Sequence, residues 1–222
     1  MLLPLKFAAA AAVAGAVLLM LGTALHPLEA DPADAAAAFA EYAGDDLWVA
    51  SHLGQFLGVV LIFIGLVGLS DSLRGQSTEW VTRLGIFFGV AAVATAAVLQ
   101  AVDGVALKVM VDTWAESEAE QKQIAFQGAM AVRQIEVGLA SFSALLFGTV
   151  FVLFGSAVAL SETYPNWLGW FGLIGGIGTI AGGLTTAAAG FSNIAMIIAM
   201  SFNVILVIWM AVLGLLMWRR TG

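Results

Sequence analysis

Apolar residues gather into six long blocks separated by short polar stretches: Leu5–Leu25, Val49–Leu69, Leu84–Gly104, Ile135–Leu160, Leu168–Ala188 and Ile194–Met217. Each block reaches the roughly 20 residues a helix needs to cross a hydrocarbon layer of about 30 Å. A water-soluble domain of 222 residues could not bury that much apolar surface. The pattern therefore predicts an all-α, polytopic membrane protein, with six transmembrane helices in one bundle spanning residues 1–222 and a lipid bilayer as its solvent.

The polar stretches carry structure of their own. Between the first two spans, Asp31-Pro32 reads as an N-cap with proline at the first helical position, and Gly44 as the stop. This predicts a short outer surface helix over Ala33–Ala43. Asp45 or Asp46 then caps the next span, and Trp48 sits as an interfacial anchor. On the other side, Ser77 or Thr78 caps the third span and Trp80 anchors it. Residues 105–134 hold no strong breaker, so the third span is expected to continue to about Trp114. The fourth begins near Ser117, where Ser117 and Glu120 fit a capping box. Together they form an outer helical hairpin, bent at Gly128. Its apolar residues Val109, Trp114, Ile124, Phe126 and Met130 face the surface helix or the membrane interface. Tyr164-Pro165-Asn166-Trp167 reads as a tight turn with aromatics at headgroup level. The fifth span is dense in glycine; Gly172/Gly176 and Gly178/Gly182 have the spacing that lets helix backbones approach closely, as do Gly54 and Gly58 in the second.

Composition sharpens this picture. The chain is 61% hydrophobic and 10% charged, against about 25% charged in a soluble domain. It contains no cysteine, which removes disulfides, thiolate metal sites and thiol nucleophiles. With alternating spans, Lys6, Arg74, Arg83, Arg219 and Arg220 share one side, and Lys108, Lys122 and Arg133 the other. Five basic residues against three places both termini in the cytoplasm of a multi-pass protein of the cell inner (plasma) membrane. The first block exceeds the 7–15 apolar residues of a signal peptide and reads as a retained helix. The acidic outer face, where most carboxylates of the net −7 charge lie, argues against nucleic acid as a partner.

Polar groups at membrane depth are costly and mark candidate sites. His26 closes the first span, and His52 and Gln55 open the second on one helix face. Gln100 and Asp103 lie near the outer end of the third span, Arg133 and Glu136 near the start of the fourth, and Asn203 deeper in the sixth. One reading is structural: solvated helix ends, an Arg133–Glu136 surface ion pair and an interhelical hydrogen bond from Asn203. The other is an outward-facing polar pocket in which His26, His52, Asp103 and Glu136 hold a divalent metal such as zinc, with Gln55, Gln100, Arg133 and Asn203 completing its lining. The paired histidines could also ligate a haem, although no attachment motif accompanies them. No nucleophile elbow, P-loop or dinucleotide fingerprint occurs in a strand–helix context.

Leu146-Phe147-Gly148, Phe154-Gly155 and Tyr164-Pro165-Asn166-Trp167-Leu168-Gly169 place a Leu-Phe-Gly-rich helix before a short proline turn and a Trp-Leu-Gly helix start. In this last third the chain resembles small bacterial polytopic membrane proteins grouped as a domain-of-unknown-function family. The resemblance implies an all-helical membrane fold and transfers no site residue. Three functions follow as expectations. The first is a non-enzymatic accessory or binding subunit, alone, as a homo-oligomer or with a membrane-complex partner. The second is a metal-dependent hydrolase acting on lipid from the outer leaflet. The third is a transporter of a small cation or solute through Asp103, Glu136 and Asn203.

Overall fold

The apolar blocks become helices because a backbone in hydrocarbon must satisfy its own hydrogen bonds. A computed structural model describes residues 3–27 and 29–221 and holds no strand among them. The elements are α1 (Leu5–Ala24), α2 (Ala35–Ala43), α3 (Trp48–Ser72), α4 (Glu79–Ala101), a π-helical segment (Val102–Leu107), α5 (Lys108–Glu116), α6 (Ala119–Ala159), α7 (Asn166–Ala189) and α8 (Asn193–Arg219). Six runs are long and apolar enough to cross a membrane: α1, α3, the continuous Glu79–Glu116, α6, α7 and α8. Neighbours pack in the order α1, α3, α4, α6, α7, α8, and α8 returns to α1, so the spans close a ring.

Two of the six are far longer than a bilayer needs. The Glu79–Glu116 run has 38 residues and α6 has 41, about 57 and 61 Å at 1.5 Å per residue. Their surplus forms the hairpin of α5 and the start of α6, the cap end of the bundle; Lys6, Arg74, Arg83, Arg219 and Arg220 lie at the opposite, basic end. The expected capping box is not made. Ser117 Oγ donates to the Thr113 carbonyl at 2.6 Å, closing α5, while Glu118 precedes α6 without a side-chain cap and Ala119 turns the chain at φ 51°. Nor does Asp31 cap α2. That role falls to Asp34, which accepts from the Ala36 and Ala37 amides, and Asp31 accepts from Ala33 in the turn before it. No side chain caps α3 or α4.

The packing divides into two apolar clusters. The larger joins Ala9, Ala12 and Ala16 of α1, Leu66 and Leu69 of α3, Phe151 and Phe154 of α6, and Trp209, Met210 and Leu213 of α8. Glycine lets α7 press between its neighbours: a Cβ at Gly176 would lie 2.7 Å from the Val152 nitrogen of α6, and one at Gly172 would lie 2.8 Å from the Trp209 ring of α8. Gly58 meets α1 in the same way, whereas Gly54 has nothing within 4 Å. Tyr164, expected at headgroup level, is buried and bonded to the Ser72 hydroxyl at 2.9 Å.

The smaller cluster is the cap. Phe39 of α2 is buried among Trp114, Phe126, Val111 and Ala129 of the hairpin. Lys108 Nζ donates to the Tyr42 and Ala43 carbonyls at 3.2 and 2.9 Å, neutralising the C-terminal end of α2. Val109 and Ile124, by contrast, point outward.

Candidate metal centre

The floor of the cap carries the chemistry. His26 follows α1, His52 lies in the second turn of α3, and Asp103 opens the π-helical segment. One ligand atom from each of these three lies within 4.8 Å of the other two. They meet because α1, α3 and α4 are consecutive neighbours in the ring and all three reach the cap end. The π segment widens the helix locally, a feature frequently found at functional sites. Gly104 within it lets the backbone close on α3: a Cβ there would lie 2.6 Å from that of His52.

Each imidazole is oriented by a backbone carbonyl. His52 Nδ1 donates to the Trp48 carbonyl at 2.7 Å, and His26 Nδ1 donates to the Pro27 carbonyl at 2.8 Å. Nδ1–H bonds of this kind fix the tautomer and leave Nε2 as the coordinating nitrogen, as in metal-ligating histidines. His52 Nε2 stands 3.1 Å from Asp103 Oδ2. With Nδ1–H already donated, a neutral His52 would turn a lone pair on a carboxylate oxygen. Two acceptors at that distance need a positive centre between them, either a proton or a metal ion. The other oxygen, Asp103 Oδ1, is buried without a partner. Burial holds the pKa of His26 below its ordinary value, which keeps that imidazole neutral and able to coordinate.

The rings are wedged by aromatics. His26 packs on Trp48 at 4.7 Å between centroids, and Trp48 on His52 at 4.5 Å and on Tyr42 at 4.4 Å. Trp48, read from the sequence as an interfacial anchor, is 1% exposed and donates Nε1–H to the Asp103 carbonyl at 3.1 Å. It is covered because α2 folds over it.

Residues 7–214 match the model of a family described as Domain of unknown function (DUF4386). The chain belongs to that family. No curated protein and no solved structure matches this DUF4386 chain.

The remaining predicted residues divide. Gln55 and Gln100 lie one turn below the trio and join α3 to α4, with Gln100 Nε2 donating to Gln55 Oε1 at 3.3 Å. Glu136 is buried but is not one of the three converging ligands, and its Oε2 has no partner. The Arg133–Glu136 surface ion pair does not form: both side chains are buried, and no Arg133–carboxylate bridge occurs among the described residues. Arg133 instead donates Nη2–H to the Pro32 carbonyl at 2.7 Å and lies over the rings of Phe39, Tyr42 and Phe191. Asn203 neither lines the cluster nor hydrogen-bonds another helix among the described residues; it is exposed part-way along α8. The sequence reading missed Tyr42 and Phe39, because the alanine-rich loop gave no sign that its two aromatics were the lid.

Proposed function

We propose that this DUF4386 protein is a divalent-metal-binding protein of the plasma membrane. Its centre is His26, His52 and Asp103, its cap faces outward and its termini lie in the cytoplasm. One observation carries the reading: one ligand atom each of His26, His52 and Asp103 converges within 4.8 Å, with both Nδ1 atoms already bonded to carbonyls. Tight packing of Trp48 and Tyr42 against the imidazoles favours an ion over a haem plane. The basic residues opposite the cap support the orientation, since loops rich in Lys and Arg stay cytoplasmic.

Three protein ligands of mixed nitrogen and oxygen suit zinc, which would act there as a Lewis acid on a water or a ligand oxygen. A bound zinc would bring the pKa of that water to about 7. The unpartnered, buried carboxylate of Glu136 favours a second reading on the same centre, a hydrolase in which a bound zinc would activate water and Glu136 would serve as the base. Elemental analysis of zinc-loaded, desalted protein tests the first reading. The expected result is one metal ion per chain in the wild type and none after His52→Ala or Asp103→Asn. Wild-type protein without stoichiometric metal, or variants that keep it, would overturn the reading.

A further inference from the structure

α1 and α8 run antiparallel, and their contact follows one register. A Cβ on Gly214 of α8 would meet Val13, Ala9 and Ala12 of α1 at 2.8–3.1 Å. Ala9, Val13, Ala16 and Met20 form one face of α1, and Gly214, Met210, Val207 and Asn203 the answering face of α8, each with i, i+4, i+7, i+11 spacing. With Ala9 opposite Gly214, the antiparallel register sets Val13 opposite Met210, Ala16 opposite Val207 and Met20 opposite Asn203. The lower levels are better covered: Ala9, Ala16, Val207, Met210 and Gly214 are buried and Val13 is half-buried. The last level is open. Met20 is 49% exposed and Asn203 is exposed, as is Thr23 one turn beyond Met20. Burial fails at the same height on both partners, although these faces are continuous with buried ones. The seam between α1 and α8 is therefore less covered toward the cap end.

This level falls within a helix long and apolar enough to cross a membrane. Asn203 is the eleventh residue of α8, about 15 Å from its start at 1.5 Å per residue. Half-buried Met196 and Met200 continue the Asn203 face, so the rim is rich in methionine, whose flexible thioether adapts to irregular apolar partners. Behind the rim the wall is polar. Gly22 of α1 lies against Gln55, which accepts the amide of Gln100, and one turn above them stand His52 and Asp103. Farther into the cap end, Arg133 is 4% exposed yet its Nη1 has no partner.

We infer that this seam between α1 and α8 is a lateral entrance for one membrane phospholipid with an anionic head. Its acyl chains lie along Met20, Met196 and Met200, and its phosphate turns inward to the cluster. This rests on the reading of His26, His52 and Asp103 as a metal centre. With a divalent ion bound, the centre and Arg133 together stay net positive even when Asp103 and Glu136 are both ionised, and Arg133 still has an N–H to donate. Phosphate is the lipid group that satisfies both. A neutral diacylglycerol would fill the gap but leave Nη1 of Arg133 without a partner.

The test measures lipid and metal on the same samples. Zinc-loaded protein is exchanged through phosphatidylcholine–phosphatidylglycerol vesicles, re-extracted and washed in detergent, then assayed by mass spectrometry for lipid and by elemental analysis for zinc. Wild-type protein is expected to retain one phosphatidylglycerol per chain. Asn203→Trp, which plugs the gap, should retain several-fold less with its zinc unchanged, and Ile208→Trp on the outward face should retain as much as wild type. No retained lipid in the wild type, or equal retention by Asn203→Trp, overturns the entrance. Loss of zinc alone, with lipid kept, overturns the metal centre and leaves the entrance standing. Because the chain has no cysteine, benzophenone attached at Asn203→Cys or Ile208→Cys gives a second readout without a bulky plug. In washed protein only the first should photo-crosslink phosphatidylglycerol, and adducts at both or at neither would overturn the inference.

Discussion

The two halves of the ring are built on opposite terms. Toward the basic end, α6, α7 and α8 meet through glycine and large apolar side chains, and a Cβ at Gly155 would lie 2.5 Å from the Leu173 nitrogen. Toward the cap end, α4 relaxes into a π segment, and polar atoms of Asp103, Gln100, Arg133 and Glu136 are buried without partners. One half maximises contact because, in lipid, close packing is what drives helices together. The other holds buried polar groups between its helices. The difference teaches where each kind of residue can be lost: the glycine half fails by overpacking, and the cap half by losing charge and aromatic contacts.

The sharpest way to break this contrast is Gly155→Leu. All three nearest atoms to a Cβ there are backbone atoms of α7, so no side chain can swing aside and the helix itself must move. The expected loss is on the order of 3 kcal/mol, read as a lower thermal unfolding midpoint in detergent, with little change in zinc stoichiometry in the fraction that remains folded. An unchanged midpoint would mean that α6 and α7 are not in backbone contact. A smaller loss is expected for Arg133→Leu, which removes a charged hydrogen bond to Pro32 and three aromatic contacts. About 2 kcal/mol is expected from these terms together. Because the damage is confined to the cap, limited proteolysis should cut the segment around Pro32 and α2 while the spans stay protected. Equal protection of that segment in wild type and variant would show that Arg133 does not hold it down.

How much of this was legible in the chain follows the length scale of each signal. Six spans were readable because each is set by some twenty residues of composition, and the hairpin because residues 105–134 lack a breaker. The glycine contacts of α7 were readable from spacing alone. Gly54 shows the limit: it shares that spacing, yet nothing faces it. The convergence of His26, His52 and Asp103 was anticipated because adjacent spans end at one level. Glu136 was grouped with them on depth alone, and sequence spacing cannot say which way a side chain turns around a helix. Nothing in Val102–Leu107 announces a π segment, and Trp48 looked interfacial because its cover, Phe39 and Tyr42, sits in a loop whose docking depends on the hairpin. Asn203 stands in the sequence as an interhelical hydrogen-bonder, a pocket-lining residue or a step in a polar path, and its exposure on α8 sets it outside the cluster.

The smallest effect distinguishes the halves by their tyrosines, of which the chain has two. Tyr42 lies in the cap, and burial pushes its phenol up to about 12 from an ordinary 10.0. Tyr164 joins the turn at the basic end, where burial again raises its pKa, opposed by the Ser72 hydroxyl and by Arg220. A phenol whose pKa is higher in the folded than in the unfolded chain favours folding below about pH 10, and that contribution is lost as pH rises from 10 toward 12. In an ultraviolet titration the folded protein should show less phenolate at pH 10 than the same chain in denaturant, where each tyrosine is about half ionised. Tyr164→Phe leaves Tyr42 as the only phenol, and its titration should then begin well above pH 10. Ordinary ionisation of that single tyrosine near pH 10 would mean that water reaches the ring through the lid. The aromatic packing of Tyr42 against Trp48 and His26 would then not describe the protein in its membrane-like environment, and the dry floor that keeps His26 neutral would go with it.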